Sequence, residues 1–267
     1  KAVNLIRERN PLSAICGRVC THPCESQCTR RDIDSAVSIR LLKRFASDQE
    51  MGMVRSGELP LPEEKTPPEN AKTIAVVGAG PAGLTAAADL ADRGYAVTVY
   101  EATSGAGGML RWGIPAYRLP KDILDYEIEL IRRKGITFLY NTRVGIDIPM
   151  DTVRQNNDAV FLSVGTQSSR KLGLEGEDKT GITYGLEFLR KVGDKDNLPR
   201  LHGRIVVIGG GNVAVDVARS ALRLGADAVE MVSLEQRHEM PALPEEVAAA
   251  LEQNIIINNG WCTNRNL

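Results

Sequence analysis

Thr73-Ile74-Ala75-Val76-Val77-Gly78-Ala79-Gly80-Pro81-Ala82-Gly83-Leu84 decides the fold. Five apolar or β-branched residues run straight into a GxGxxG turn, and a small-residue segment with helical character, Ala82–Arg93, follows and stops at Gly94. A strand that enters a glycine turn and leaves as a helix is the opening of a βαβ unit that binds a dinucleotide. Gly78 permits the tight turn, Gly80 lets the backbone approach a pyrophosphate, and Gly83 lets the helix pack closely on the strand. The phosphates then meet free N–H groups and the positive end of the helix dipole. Ala96–Tyr100 reads as the next strand and ends in Glu101, 18 residues after Gly83, where a carboxylate can accept from ribose hydroxyls. The bland alternative is a glycine turn in a nucleotide-free α/β fold.

Downstream, Gly105-Ala106-Gly107-Gly108-Met109-Leu110-Arg111-Trp112-Gly113-Ile114-Pro115 is too glycine-rich for a regular element. Such a loop can lie flat against a planar ring, or be a plain connection. A helix is expected from Lys121 to Lys134, with strands at Thr137–Tyr140 and Ala159–Val164. The whole unit then repeats: strand Arg204–Ile208, turn Gly209-Gly210-Gly211-Asn212-Val213-Ala214, helix Val213–Leu224, strand Ala228–Val232. The turn fits GxGxxA, an accepted variant of the same motif. The near-continuous apolar strands read as parallel strands buried on both faces. Two such units imply two dinucleotides, the layout needed to pass hydride between a nicotinamide and a flavin. At the end of the second unit's second strand, Ser233 stands where Glu101 stands in the first. Glu235 would repel a 2′-phosphate while Arg237 could reach one, and the balance favours NADH over NADPH.

Upstream, residues 57–72 carry four of the thirteen prolines and a run of charges, and read as a linker. Before it, residues 1–56 hold Cys16-x3-Cys20-x3-Cys24-x3-Cys28 and a helix expected from Val37 to Glu50. This block has ten Lys/Arg against six Asp/Glu, either a solvated face or a counter-charge for an anionic cluster or an acidic electron-transfer partner. Clustered cysteines without a secretion signal read as a metal or redox site. Thiolates suit iron–sulfur clusters, whereas zinc sites usually show CxxC pairs, which are absent. Pro23 argues for an irregular loop rather than one cysteine-bearing helical face, and His22 reads as a polar loop residue. The lone Cys262 receives no role.

The chain has 267 residues, 43% hydrophobic and 25% charged, with net charge -1. That is room for roughly two domains. It gives no reason to invoke nucleic acid, and no apolar run approaches the roughly 20 residues of a membrane span. A cytoplasmic location is the expectation. Lys1 opens inside an amphipathic segment and Leu267 closely follows the apolar run Ile255-Ile256-Ile257, so the chain reads as a piece of a longer protein.

The runs NPLSAICGRVCTHPCESQC (Asn10–Cys28), VSIRLLKRFASDQE (Val37–Glu50), VVGAGPAGLTAAADLADRGYAVTVYEA (Val76–Ala102), GGMLRWGIPAYRLP (Gly107–Pro120) and VVIGGGNVAVDVARSALRLGA (Val206–Ala226) resemble, in that order, the family of the glutamate synthase small (β) subunit. Its relatives include the flavin-containing front half of dihydropyrimidine dehydrogenase and the flavin subunits of bifurcating NADH–ferredoxin enzymes. The resemblance implies an α/β fold with two Rossmann-like FAD/NAD(P)-binding units preceded by a small α-helical iron–sulfur domain. The implied segments are a helical 4Fe–4S domain at 1–56, the linker at 57–72, the first part of an FAD domain at 73–170, and a connection with an NAD(P) domain at 171–267. By the same resemblance Gly78, Gly80, Pro81, Ala82, Gly83 and Glu101 hold FAD, and Gly107, Gly108, Met109 and Leu110 lie by its ring. Gly209, Gly211, Asn212, Val213 and Ala214 hold the nicotinamide nucleotide. Cys20, Cys24 and Cys28 match cluster ligands, and Cys16 matches a less secure position.

There are departures. Cysteines completing the clusters would precede Lys1, so the clusters are expected to be completed by residues outside this chain. A Gln or Glu ligand of some relatives falls near Lys43. NADP-dependent members carry an Arg pair where Leu234-Glu235 stands, which again points to NADH. The implied activity moves a hydride between NAD(P)H and FAD and single electrons between FAD and 4Fe–4S clusters, for a redox partner subunit or fused domain. No side chain is assigned as acid or base. One rival is a thioredoxin-reductase-like disulfide reductase, which needs a CxxC pair absent from residues 73–267. The other is a non-catalytic nucleotide-binding scaffold.

Overall fold

The computed structural model describes residues 1–193 and 198–261, so Cys262 lies outside the described residues. The chain divides into two compact units, Lys1–Arg111 with Ala116–Gly165, and Trp112–Pro115 with the residues from Thr166 on.

In the first unit the cysteine segment is helical but broken. It comprises α1 (Ala2–Arg7), α2 (Ser13–Val19), α3 (Pro23–Ser26) and α4 (Ile39–Arg55). Pro23 does end the possibility of one continuous helix: it opens α3 at its first position, and His22 before it turns left-handed at φ 44°. The result is a second short helix rather than an irregular loop, because a proline at the first turn forfeits only an N–H that is unpaired anyway. Helix α4 runs five residues beyond the expected Glu50. α2 and α4 cross so closely that a Cβ on Gly17 would lie 2.8 Å from the Arg44 Cα. Residues 57–72 form no helix or strand, yet they are tied down: Lys65 N–H donates to the Arg133 carbonyl at 2.8 Å, and Arg132 pairs with Glu64 at 2.7 Å.

The sheet of this unit has the order β3-β2-β1-β4, with β1 (Thr73–Val77), β2 (Ala96–Tyr100), β3 (Thr137–Leu139) and β4 (Ala159–Leu162) all parallel. Val76 sits opposite Val99 on one side and Phe161 on the other. Helix α5 (Pro81–Asp92) joins β1 to β2. After β2 come the short α6 (Met109–Trp112), α7 (Lys121–Arg132) leading into β3, and α8 (Met150–Gln155) leading into β4. The core is made by Val76, Leu84, Val99, Leu124 and Ile131, all fully buried. At roughly 1.5–3 kcal/mol for each such side chain, this burial is what closes the unit.

The second unit repeats the pattern: α9 (Gly185–Gly193), β5 (Arg204–Ile208), α10 (Asn212–Arg223), β6 (Ala228–Ser233), α11 (Pro244–Leu251) and β7 (Ile256–Asn259), with parallel strand order β5-β6-β7. Val207, Val229 and Met231 pack against α10 and its neighbours in a core with Val215, Ala218 and Val247. Here the expectation of strands buried on both faces fails. Val206 and Ile208 are each 53% exposed and Ile256 is 54% exposed. β1 is buried along nearly its whole length, whereas β4, β5 and β7 are largely half-buried or exposed.

Candidate functional site

Each unit presents a strand, a glycine turn and a helix start. In the first, Gly78 takes φ +102° with its Cβ position 2.5 Å from the Ser163 carbonyl, so both handedness and space demand glycine. The Ser163 hydroxyl lies 2.9 Å from the Gly78 carbonyl oxygen and 3.0 Å from that of Val77, clamping the turn to the end of β4. A Cβ on Gly83 would fall onto the Gly78 carbonyl oxygen, which is why α5 can start directly against β1. Gly80 is different. It caps α5 in extended backbone, and nothing lies within 4 Å of where its side chain would stand. The space is held open in front of the first N–H groups of a twelve-residue helix, as a pyrophosphate requires.

Glu101 is buried at the end of β2 and turns back to this cradle. Its Oε2 accepts from Ala79 N–H at 2.9 Å, and its Oε1 accepts from the backbone and hydroxyl of Thr103, both at 2.8 Å. The carboxylate is thereby fixed beside the turn. The Gly107-Gly108 loop lies on the same turn: Gly107 N–H donates to the Ala79 carbonyl at 2.8 Å, and a Cβ on Gly108 would be 2.9 Å from the Gly80 Cα. Leu110 is buried and Met109 half-buried, while Pro81 and Ala82 are exposed at the start of α5. These residues fit FAD: the open cradle, the fixed acid and the flat loop are all built from one neighbourhood.

In the second unit Gly209 (φ +141°) donates its N–H to the Val232 carbonyl at 2.8 Å, and Gly211 caps α10 with open space at its Cβ position. Ala214 replaces the third glycine without collision, its methyl 3.3 Å from the Cβ position of Gly209. Asn212 directs its Oδ1 to Leu243 N–H at 2.9 Å, so it pins the segment leading into α11, and Val213 is exposed. These residues fit a second dinucleotide. The acid that faces this cradle is Glu235. A Cβ on Gly210 would lie 2.6 Å from Glu235 Oε2 and on the Ser233 hydroxyl oxygen. Ser233 donates to Glu235 Oε2 at 2.5 Å, and that bond holds the Glu235 carboxyl below its ordinary value. Arg237 is exposed in the following turn, Arg237–Glu239. Sequence reading named Glu235 only as a repulsive neighbour; its signal was Ser-x-Glu directly after a strand.

The four cysteines are free thiols, Cys24 exposed and the others half-buried. Cys16 lies in α2 and Cys24 in α3, while Cys20 and Cys28 flank them. Cys20 Sγ accepts from His22 N–H at 3.3 Å. Backbone N–H groups of Val37 and Arg30, with the Arg30 charge, hold the Cys28 thiol below its ordinary value, while burial pushes the Cys16 thiol up. All four are thiols, the donor type that a thiolate-ligated cluster takes, and Cys28 ionises more readily than Cys16. Among the described residues no group of three or more His, Cys, Asp or Glu stands ready to hold a metal ion. No helix among them is long and apolar enough to cross a membrane.

Comparison with known proteins agrees with this geometry. Residues 72–260 match the pyridine nucleotide-disulphide oxidoreductase family, and residues 1–54 match dihydropyrimidine dehydrogenase domain II, 4Fe-4S cluster. The chain is 45% identical to the NADP(+)-dependent formate dehydrogenase subunit beta of Moorella thermoacetica, over 96% of this chain and 39% of that protein. It is 35% identical to the glutamate synthase [NADPH] small chain of Escherichia coli K12, over 96% of this chain and 56% of that one. The chain thus spans between about two fifths and somewhat over half of these relatives. Among solved structures, Mycobacterium tuberculosis FprA in complex with NADPH superposes with TM-score 0.61 at 26% identity, covering 68% of this chain and 48% of that one. The resemblance read from the motifs holds, and the chain belongs to the pyridine nucleotide-disulphide oxidoreductase family, while residues 1–54 are similar to dihydropyrimidine dehydrogenase domain II.

Proposed function

We propose that this chain is the flavin- and nicotinamide-binding part of an electron-transfer oxidoreductase that takes reducing equivalents from NADH and passes them through FAD to 4Fe–4S clusters and a partner subunit or fused domain. The observation that carries this reading is the pair of open cradles at Gly80 and Gly211, each at the start of a twelve-residue helix and each faced by a carboxylate. When bound, FAD supplies the exchange between two-electron hydride chemistry and one-electron transfer. The protein's own residues do the rest. Gly80 and Gly211 leave room for pyrophosphate, helix N–H groups neutralise it, Glu101 receives ribose hydroxyls, and Gly107–Leu110 provides the surface for a ring. Cys20, Cys24 and Cys28, with Cys16 in the weakest position, are proposed as cluster ligands completed by others. The segments 1–56, 57–72, 73–170 and 171–267 are proposed as iron–sulfur domain, linker, FAD part and NAD(P) part. A cytoplasmic site of action suits a cluster of free thiols.

The full-length protein, purified without oxygen, should be yellow-brown, contain FAD and iron, and lose its flavin band on addition of NADH. Iron-free protein, or a flavin band indifferent to both NADH and NADPH, would defeat the proposal.

The preference for NADH rests on Glu235. Its carboxylate lies beside Gly210, and a carboxylate there would accept from a ribose 2′-hydroxyl and repel a 2′-phosphate. Glu235→Gln should weaken NADH by roughly tenfold and narrow the NADH:NADPH preference. Because Ser233 lowers the Glu235 pKa, the carboxylate stays ionised down into the ordinary carboxylate range, roughly 4.3. The preference should therefore stay constant through neutral and mildly acidic pH and decline only below that value. Equal KM values for the two nucleotides in the unmodified protein would refute this assignment.

A further inference from the structure

Helix α2, which carries Cys16 and ends at Cys20, has no cap of its own. Its N-cap is Leu12, which offers no side-chain acceptor. The first N–H groups of any helix lack partners within it, and burying them unpaired is costly. Here the partner arrives from far along the chain. Glu127 of α7 accepts from Ala14 N–H at 2.7 Å (Oε1) and from Ile15 N–H at 3.0 Å (Oε2). The Ser13 hydroxyl donates to Oε1 at 3.1 Å, and Ser47 of α4 donates to the Ser13 oxygen at 3.0 Å. Ser13, Ser47 and Glu127 are all fully buried. Three donated bonds, with Arg7 nearby, offset a burial that pushes the Glu127 carboxyl above its ordinary value. Around this cap Ala14, Met51, Ile123 and Tyr126 form a small apolar cluster.

The same helix grips the glycine-rich loop. The Leu124 methyl carbons lie 3.0 and 3.4 Å from the Cβ position of Gly107. Lys121 Nζ donates to the Leu110 carbonyl at 2.9 Å, and Asp125 pairs with Arg111 at 2.5 Å. One rigid helix of twelve residues thus holds the loop read as flavin-facing through Lys121, Leu124 and Asp125, and the cysteine helix through Ile123, Tyr126 and Glu127. A short local cap, such as Ser or Asp at Leu12, would satisfy the same N–H groups without tying the two segments together. The observed solution buries a carboxylate to do both.

We propose that Glu127 is a positioning residue for electron transfer, locking the cysteine-bearing α2 onto the helix that carries the flavin loop so that cluster and flavin keep a fixed separation. The inference rests on the flavin and cluster reading above and adds a residue to it. The step it governs falls steeply with distance, so a loosened α2 should slow transfer while leaving the NADH step untouched.

The test uses the full-length holoprotein, with Glu127→Ala and Glu127→Gln. In Glu127→Ala, FAD content and the rate of flavin bleaching by NADH should stay within about twofold of the parent, while cluster reduction slows by about tenfold to a hundredfold. The cluster's EPR spectrum should broaden or shift in the same variant, a change that a global loss of stability would not produce with flavin intact. Glu127→Gln keeps one acceptor oxygen and should fall between the two, which also covers the case where the alanine variant does not fold. Unchanged cluster reduction and an unchanged EPR spectrum in both variants would overturn the proposal. So would parallel loss of flavin and cluster in both, which would make Glu127 a general stability residue. Failure of the unmodified protein to bleach with NADH would instead overturn the functional reading on which this inference rests.

Discussion

A Gly80→Val protein should fold with native stability and carry no flavin. Gly80 sits at φ −74°, ψ −177°, extended backbone that a β-branched residue adopts readily. Nothing lies within 4 Å of its Cβ position, so a β-carbon there meets no neighbouring protein atom. Losing the conformational freedom of glycine in the unfolded chain favours the variant by about 0.4–1 kcal/mol. All the damage falls on the ligand, because the valine methyls occupy the volume in front of the α5 N–H groups. FAD affinity should drop by roughly 100-fold or more, about 3 kcal/mol. Thermal unfolding of the flavin-free forms of parent and variant, with flavin content measured on each as purified, checks both halves. A variant that keeps its flavin shows that the pyrophosphate does not lie against Gly80.

Gly83→Ala, three residues on and smaller, should do the reverse and strike the fold first. Its Cβ falls on the Gly78 carbonyl oxygen. That oxygen cannot retreat freely, since Ser163 Oγ holds it at 2.9 Å and the Gly78 Cβ position already abuts the Ser163 carbonyl. Relief requires α5 to lift from β1, disturbing a packed interface that includes the fully buried Leu84. Overpacking of this kind costs about 3 kcal/mol, and in a chain of this size each 1 kcal/mol is worth about 2–4 °C, so Tm should fall by roughly 6–12 °C. Flavin loss follows as a consequence. The second unit offers a comparison: Ala214 occupies the matching place there, its methyl 3.3 Å from the Cβ position of Gly209, so a methyl at this position is accommodated in that turn. A Gly83→Ala protein melting within about 2 °C of the parent would show that α5 has that freedom too.

The βαβ units were readable because their signals are local. β1, α5 and β2 follow from an apolar run, a glycine turn, a small-residue helix and a second apolar run, and their observed limits differ from the expected ones by a residue or so. The same holds for β5, α10 and β6. Pro23 was readable as a break, although it yielded the start of α3 rather than a loop. Less legible was which strand faces would be covered: Val206 and Ile208 look as apolar as Val76, but burial depends on what lies above a sheet, and no residue spacing within β5 encodes that.

What the amino-acid order determined alone is the pair of strand–glycine turn–helix starts, since each needs only backbone space and free N–H groups within a dozen consecutive residues. Tertiary structure alone decided the rest of the chemistry. It set the Glu235 carboxylate beside Gly210, where the Ser233 hydroxyl donates to it. It also made Glu127, one acid among several on an amphipathic helix, the buried cap of α2 more than a hundred residues away. A charge on a helix face reads as solvated until the partner helix is known, and contacts at that sequence distance leave no periodic trace.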